Sequence, residues 1–509
     1  MASTTARIHS LAQQLPQLAL VVCAFAFSAE HAASTPAPLQ SSRPTSRPTT
    51  LAEVAERPSV ELSADEINLA ALVSEARAVV EAGLELELPA ELEVRYTTRD
   101  ELSAELAGEA VTKHQLALTS PALDLGADDE RAEIAMRPLA SVVIAKHFPA
   151  ERRVLVALDN LAASMAMIGF EAERATGLLR AVLVHELIHV ADEQRFNWSA
   201  KLLECTTSQC VQSLAAVVEG HAQYVARDLC ASAGWSADFE EYTSMIGFSP
   251  ALGEGEGMAF LSRAMSVAFS FSYHSGEAFW QTIMAAGDEN MEARAFASPP
   301  ASVALISRPD WYLDPASRPE SAYDLVRGTQ YMADRVPADE WIATPIELTL
   351  PQLQEAIKIL PEDERAAAED AFQSAQLMVL QPKDAPQSAM FAGALIETKD
   401  TLGAAHWLTV QERVMRLKDE AMTEGSMRIV AADYQQLALP TGAGLHASKT
   451  VDFMGTEVDV DVLIFTSGSL MVELTASNHE IERQELIDTA VGMFAAAMKP
   501  DEPAAAQAK

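Results

Sequence analysis

Basic residues are scarce in this 509-residue chain: 36 Lys and Arg stand against 73 Asp and Glu, a net charge of −37. A surface of that sign repels nucleic acid and anionic membranes, so neither is expected as a partner. The acid is dispersed and forms no block that would act as a tail. Cysteine is also rare, at four residues, and no two are spaced C-x-x-C, which removes a cysteine zinc site. Beyond residue 33 no apolar run is long enough for a transmembrane helix, which needs about 20 residues. What is present is a hydrophobic content of 49%, enough for real cores. The length allows two or three domains.

The N-terminus sets the expected compartment. Residues 1–33 carry Arg7, an apolar run from Leu18 to Phe27, and small residues through Ala29, Ala32 and Ala33. This reads as a secretory signal peptide, cleaved between Ala26 and Ala33 and too short to span a membrane stably. Leu20-Val21-Val22-Cys23 hints at a lipid anchor on Cys23, but Val22 is a poor residue before such a cysteine. Residues 34–50, rich in Pro, Ser and Thr, read as a solvated linker. The mature protein is therefore expected outside the cell or in the envelope or periplasm. In that oxidising setting two of Cys205, Cys210 and Cys230 can pair, leaving the third free, and the spacing does not say which.

The most informative stretch is His185-Glu186-Leu187-Ile188-His189. Histidines four apart on a helix share one face, so both imidazoles reach one metal ion. The intervening Glu186 is placed to act as general base on a metal-activated water. Residues 178–195 contain no Pro or Gly and are strongly apolar, so the motif sits in a helix expected to be buried. Buried polar groups need partners, which favours metal binding over a chance pair of histidines.

A catalytic zinc usually takes three protein ligands. A third His or Asp six positions after His189 would occupy residue 195, which is Arg195. The remaining common solution is a glutamate on a later helix. Ala215-Ala216-Val217-Val218-Glu219-Gly220-His221-Ala222 reads as such a helix, with Glu219 as ligand and His221 as its rival, about 100° away around the axis. Gly220 lets another backbone come close beside the ligand. Asp192 lies one turn beyond His189 and reads either as a partner for a ligand histidine or as a solvated charge.

The run from His185 to Phe196 resembles an H-E-L-x-H-A-L-x-D-Q-x-F signature, and Val218-Glu219-Gly220-His221-Ala222 resembles V-E-G-D/E-A. Both signatures belong to a group of secreted bacterial zinc-peptidase-like proteins of the gluzincin type, with two His and one Glu as ligands. Looser matches are Arg153 to Asp159, Tyr273-x-x-Gly276-x-x-Phe279, Ser298-Pro299-Pro300-x-Ser302 and Asp400-Thr401-Leu402-Gly403, so the resemblance spans roughly residues 90 to 410. It favours Glu219 over His221 as third ligand. It also implies an edge strand beside the active-site helix, where a peptide adds as an extra strand; Arg153 to Leu158 is the segment expected there. The chain departs from the family's P-P-x-S-T-E-Q-I-L-H-P segment, with Val303-Ala304-Leu305 for T-E-Q and Arg308 for the His.

The expected fold class is α+β. A mainly helical, gluzincin-like domain with a small edge-stranded sheet is expected over 51–335, and an α+β domain with an antiparallel sheet over 336–509. Ser63 and Glu66 read as a capping box before a helix to about Ala82. Leu84–Leu88 and Leu92–Tyr96 read as strands, and Thr98 with Glu101 caps a helix. Helices dominate from 172 to about 290, and Pro299, Pro300, Pro309 and Pro315 mark loops. Later come a strand Met390–Ile396, a helix Gly403–Glu420, and a half-buried strand through Val458, Val460, Val462 and Ile464. A turn at Ser467-Gly468 then leads into Leu470–Leu474, and a helix Glu480–Met498 follows. His406, His446 and His479 form no ligand-like cluster there.

The expected function is a secreted zinc-dependent peptidase acting on peptides or proteins. His185, His189 and Glu219 would hold Zn²⁺, and Glu186 would act as base. Tyr273, His274 and His221 are the candidates to stabilise the oxyanion. Two alternatives stand beside it: a non-catalytic envelope protein that keeps the metal as a staple, and a metal hydrolase of non-peptide amides or esters.

Overall fold

Asn68, rather than Ser63, opens the first helix. Its side chain accepts from Ala71 N at 3.1 Å, while Ser63 to Glu66 close a turn just before it. The computed structural model describes residues 60–119, 139–246 and 271–499, except 289, 349, 384–388, 423–426, 440–441, 454–455 and 479–481, and adds 133, 136 and 137. The expected leader, Cys23, the linker and His479 lie outside the described residues. The chain divides between Ser317 and Arg318 into two compact units.

The first unit runs through α1 (Leu69–Leu84), β1 (Glu93–Tyr96), α2 (Arg99–Gly108), α3 (Ala110–Thr119), β2 (Ala145–Phe148) and β3 (Arg153–Val156). It continues with α4 (Leu158–Ile168), α5 (Ala175–Phe196), α6 (Trp198–Glu204), α7 (Ser208–Ser232) and α8 (Ser236–Met245). After a π-helical turn at Phe271–Ser275 come α9 (Gly276–Ala285), α10 (Met291–Ala297), α11 (Val303–Ser307) and α12 (Pro309–Leu313). Leu84–Leu88 is not a strand. Leu84 closes α1, and Leu88 N donates to Glu81 Oε1 at 2.9 Å, so side chains satisfy backbone that a neighbouring strand would otherwise pair. Thr98 caps α2 as expected, accepting from Glu101 N at 3.2 Å.

The small sheet has the order β1-β3-β2, with β1 parallel and β2 antiparallel to β3. The strand expected at the edge, β3, is therefore central, and both its sides are occupied. Its residues Val154, Leu155 and Val156 are fully buried. The edge beside α5 is β2, four residues long. Helix α5 is apolar on all sides and packs among α1, α7 and α8. Leu179, Leu183 and Leu187 on it are fully buried, each contributing roughly 1.5–3 kcal/mol. Asn197, in the left-handed region at φ 51°, ends the helix by donating its N–H to Glu193 O at 2.9 Å.

The second unit begins earlier than the expected boundary at 335/336. Helix α13 (Leu325–Ala333) packs against the C-terminal helix α17 (Arg483–Ala497), where Gly328 lies against Met493 and Ala497. Between them lie β4 (Trp341–Glu347), α14 (Leu350–Ile357), α15 (Glu362–Ala371), β5 (Phe372–Pro382) and β6 (Met390–Thr398). Then come α16 (Thr401–Ala421), β7 (Met427–Leu439), β8 (Gly442–Phe453), β9 (Thr456–Ser467) and β10 (Leu470–Ser477). One antiparallel sheet takes all seven strands in the order β4-β5-β6-β10-β9-β8-β7. Helices α14, α15 and α16 cover one face and α13 and α17 the other, so β10 is buried along its whole length. The half-buried pattern expected at 458–464 holds from Val458 to Val460, where Asp459 is exposed, and gives way to burial on both faces from Val462 for the same reason. Ile464 meets one helical layer and Leu463 and Phe465 the other. The turn at Ser467-Gly468 is present, with Gly468 at φ 59°.

Glu473, in the middle of β10, is buried beneath α16, and its Oε2 has no hydrogen-bond partner among the described residues. Burial pushes its carboxyl up to about 7, against the pull of Lys418 and Lys449. The folded state thus binds this proton more tightly than the unfolded chain does. The group's contribution is fully favourable below the unfolded pKa near 4.5 and is lost as pH rises through 7. The loss is about 3 kcal/mol. Hydrogen exchange of the β10 amides between pH 5 and pH 8 should show it, and Glu473→Gln should remove the pH dependence.

Candidate metal centre

His185 and His189 lie one turn apart on α5, with ring centroids 4.6 Å apart. Helix α7 brings Glu219 to the same point. His185 Nε2 and His189 Nε2 are 3.0 Å apart, and each is 3.2 Å from Glu219 Oε2. Three lone-pair-bearing atoms in one triangle cannot all be satisfied by a single proton, which serves one edge at a time. A single cation serves all three. A tetrahedral ion with bonds of 2.0–2.1 Å sets its donors roughly 3.3 Å apart, close to the 3.0–3.2 Å found here. The donor set of two imidazoles and one carboxylate also suits a catalytic zinc. These three residues therefore form a group able to hold a metal ion.

The electrostatics agree with a cation-ready site. Burial alone would raise the Glu219 carboxyl, but His189 and His185 outweigh it and hold the group well below the usual carboxylate range. Glu219 is thus present as an anionic donor. Metal-bound histidines commonly donate their second N–H to a carboxylate or carbonyl. Here both Nδ1 atoms are buried without a hydrogen-bond partner among the described residues. The rings are held by packing instead. His185 stacks on Tyr273 at 5.4 Å and meets Tyr242 edge-on at 5.9 Å. His189 lies 6.1 Å from Trp198, whose Nε1 donates to the His189 carbonyl at 3.2 Å.

Asp192 serves neither role expected of it. It is fully buried, and its Oδ2 accepts from His221 Nδ1 at 2.7 Å. On the far side of the ring, His221 Nε2 is 3.2 Å from Glu292 Oε1, and Glu292 in turn pairs with Arg195. Burial opposes charge on His221, but Asp192 and Glu292 outweigh it and push the imidazole up to about 9. Ligand atoms of Asp192, His221 and Glu292 also lie within 4.8 Å of one another. However, both ring nitrogens already face carboxylates on opposite sides, so the cluster is better described as an imidazolium between two anions. It ties α5, α7 and α10 together and takes His221 out of contention as an oxyanion donor.

Gly220 and Gly276 explain how Glu219 and Tyr273 come together. A Cβ on Gly220 would collide with the Gly276 backbone, and one on Gly276 would collide with the carbonyl of Ala216. Helices α7 and α9 therefore touch backbone to backbone, as the bare Gly220 suggested. Gly220→Ala is expected to cost about 1–3 kcal/mol by overpacking and to weaken metal retention. Denaturant unfolding and equilibrium dialysis against zinc check both effects.

A cavity of 290 Å³ opens onto the centre, and its wall includes Glu186, His189, Glu219, Tyr242 and Tyr273. Glu186 is buried and belongs to no edge of the ligand triangle. Tyr273 sits in the π-helical turn, a distortion frequent at functional sites. Its neighbour His274 is exposed and is not part of the cavity wall. Tyr242 went unrecognised in the sequence. Burial, then the carboxylates of Glu186 and Glu219, push its phenol well above the usual range, so it is a hydrogen-bond donor at any ordinary pH. The one signal for it was its place on the apolar face of α8 with Phe239 and Met245, all three of which are buried.

Cys205 and Cys210 form a disulfide between α6 and α7. Cys230 is a free, buried thiol, pushed by burial up to about 12 and so unreactive. No family model and no curated protein matches this chain. Among solved structures, an uncharacterised protein from Mycobacterium smegmatis is similar at 13% identity, covering 34% of this chain and 95% of its own, with a TM-score of 0.21. That score is too low to carry an argument about fold or function.

Proposed function

We propose that this chain is a zinc-dependent peptidase of the gluzincin type, acting outside the cytoplasm. The observation that carries the reading is the convergence of His185 Nε2, His189 Nε2 and Glu219 Oε2 within 3.0–3.2 Å of one another, on the wall of a cavity shared with Glu186. When bound there, zinc supplies Lewis acidity, making a water nucleophilic near neutral pH and polarising the carbonyl to be attacked. Glu186 takes the proton of the attacking water and delivers it to the leaving amine. Tyr242 and Tyr273, the latter also hydrogen-bonded to Glu219, are kept protonated in the cavity wall and are the candidate donors to the developing oxyanion. The edge strand β2, whose residues Ala145 to His147 line the same cavity, offers backbone hydrogen bonds to an extended peptide. The Cys205–Cys210 bridge supports an oxidising compartment.

The test is metal analysis of the purified protein together with hydrolysis of unfolded casein. Zinc near one equivalent, and cleavage that a chelator abolishes and added zinc restores, are the expected results. Zinc without cleavage of peptides, esters or other amides would instead leave a metal-stapled binding protein. Cleavage confined to non-peptide substrates would leave a hydrolase of another class.

A further inference from the structure

The chain carries a net charge of −37, yet one lysine stands in the wall of the cavity beside Glu186 and Glu219. Lys146, on the edge strand β2, lines the same space as Glu186, His189 and Glu219, and among the described residues no other lysine or arginine does. Its side chain is 25% exposed. Its partners hold it loosely: Glu109 Oε2 lies 3.6 Å from Nζ, and the His147 carbonyl is 3.4 Å away. The Glu109 carboxylate is buried, and Oε2 also accepts from the Thr112 hydroxyl. An ammonium group has three donors and is strongly hydrated. Here none of the three makes a short charge-assisted bond, which would be about 2.7–2.9 Å long. Burial opposes the charge, but Glu109, Glu186 and Glu219 outweigh it, so the ammonium stays protonated.

We propose, resting on the peptidase reading above, that Lys146 is the specificity residue of this site and selects substrates bearing a carboxylate close to the scissile bond. A peptide laid along β2 places its own groups beside this strand. A carboxylate there can replace the long contacts of Nζ with short charge-assisted ones. Neutral and basic residues gain nothing at that point. Two sources share this chemistry, the free C-terminus of a peptide and an Asp or Glu side chain.

Three probes separate the sources: acetyl-alanyl-leucine with its free carboxylate, the same compound as its C-terminal amide, and acetyl-glutamyl-leucinamide. Calorimetric binding to the full chain as purified, carrying Glu186→Gln so that no probe is turned over, is read first. At least one carboxylate probe should bind tenfold or more tighter than the neutral amide, and Lys146→Gln should erase that ratio while Lys146→Arg keeps most of it. Preference for the free C-terminus assigns an exopeptidase-like selection, and preference for the glutamyl probe a side-chain selection. Equal binding of all three probes by the parent chain overturns the proposal, as does a ratio that survives in Lys146→Gln. Matching longer peptides are then compared by kcat/KM. Selective binding without cleavage of any peptide would reject the peptidase reading while keeping Lys146 as an anion reader.

Discussion

Glu186→Gln is expected to retain zinc and to lower peptide hydrolysis by about a thousand-fold, within the 10²–10⁴ range that a positioned general base supplies. The substitution keeps the shape of the side chain and removes its ability to take a proton. Metal retention follows from the geometry, since the ligand triangle is complete without Glu186. The loss should therefore fall on kcat, with KM little changed, because the interaction removed is made only as the water attacks. Metal analysis, thermal unfolding and steady-state kinetics on one preparation give the three readings needed. Cleavage at the parental rate would reject Glu186 as the base. Loss of metal as well would show that Glu186 helps to hold the site together.

Asp192→Ala should produce the largest loss of stability. It leaves a charged imidazole at a position 2% exposed, without the anion that its Nδ1 faces at 2.7 Å. Breaking a buried ion pair on one side typically costs 3–5 kcal/mol, and the low end of that range applies here because Glu292 still faces His221 Nε2 at 3.2 Å. For a unit of this size that corresponds to a fall of roughly 5–15 °C in Tm. Asp192→Asn keeps an acceptor and should lose less. Removing both partners, in Asp192→Ala with His221→Phe, should recover part of the loss, since the orphaned charge is gone. If Asp192→Ala unfolds within about 0.5 kcal/mol of the parent, in the range of an ordinary surface substitution, the clamp between α5 and α7 contributes nothing.

The ligand set was legible because its geometry is local. His185 and His189 need only the period of a helix, and Glu219 stands out as an acid inside an apolar helical run. The contact at Gly220 could likewise be anticipated from a missing side chain. Tyr242 and Lys146 could not be found that way, because they reach the cavity from a separate helix and strand. The edge strand was misplaced because Ala145–Phe148 is short and has no alternation, whereas the apolar Arg153–Val156 is more strand-like for the very reason that it is central. The role of Asp192, read either as a partner for a ligand histidine or as a solvated charge, could not be settled because its partner His221 lies 29 residues further along the chain. In the second unit, β7 went unseen since its sequence, mostly exposed, carries little apolar periodicity. The domain boundary moved because α13 belongs by packing, not by composition, to the helices that follow it.

The place of β10 has a consequence for synthesis of the chain. Among the described strands it is the last to be made, yet it lies between β6 and β9 at the middle of the seven-stranded sheet. A nascent chain, or one cut short before Leu470, therefore holds two separate three-stranded ribbons, β4-β5-β6 and β7-β8-β9, rather than a shorter sheet. Each ribbon presents an unpaired inner edge, that of β6 being buried along its whole length in the finished sheet. Open apolar edges invite pairing with other chains. Frameshifts and stop codons late in the reading frame should thus yield aggregates rather than truncated soluble protein, although every residue of the candidate metal centre was translated long before.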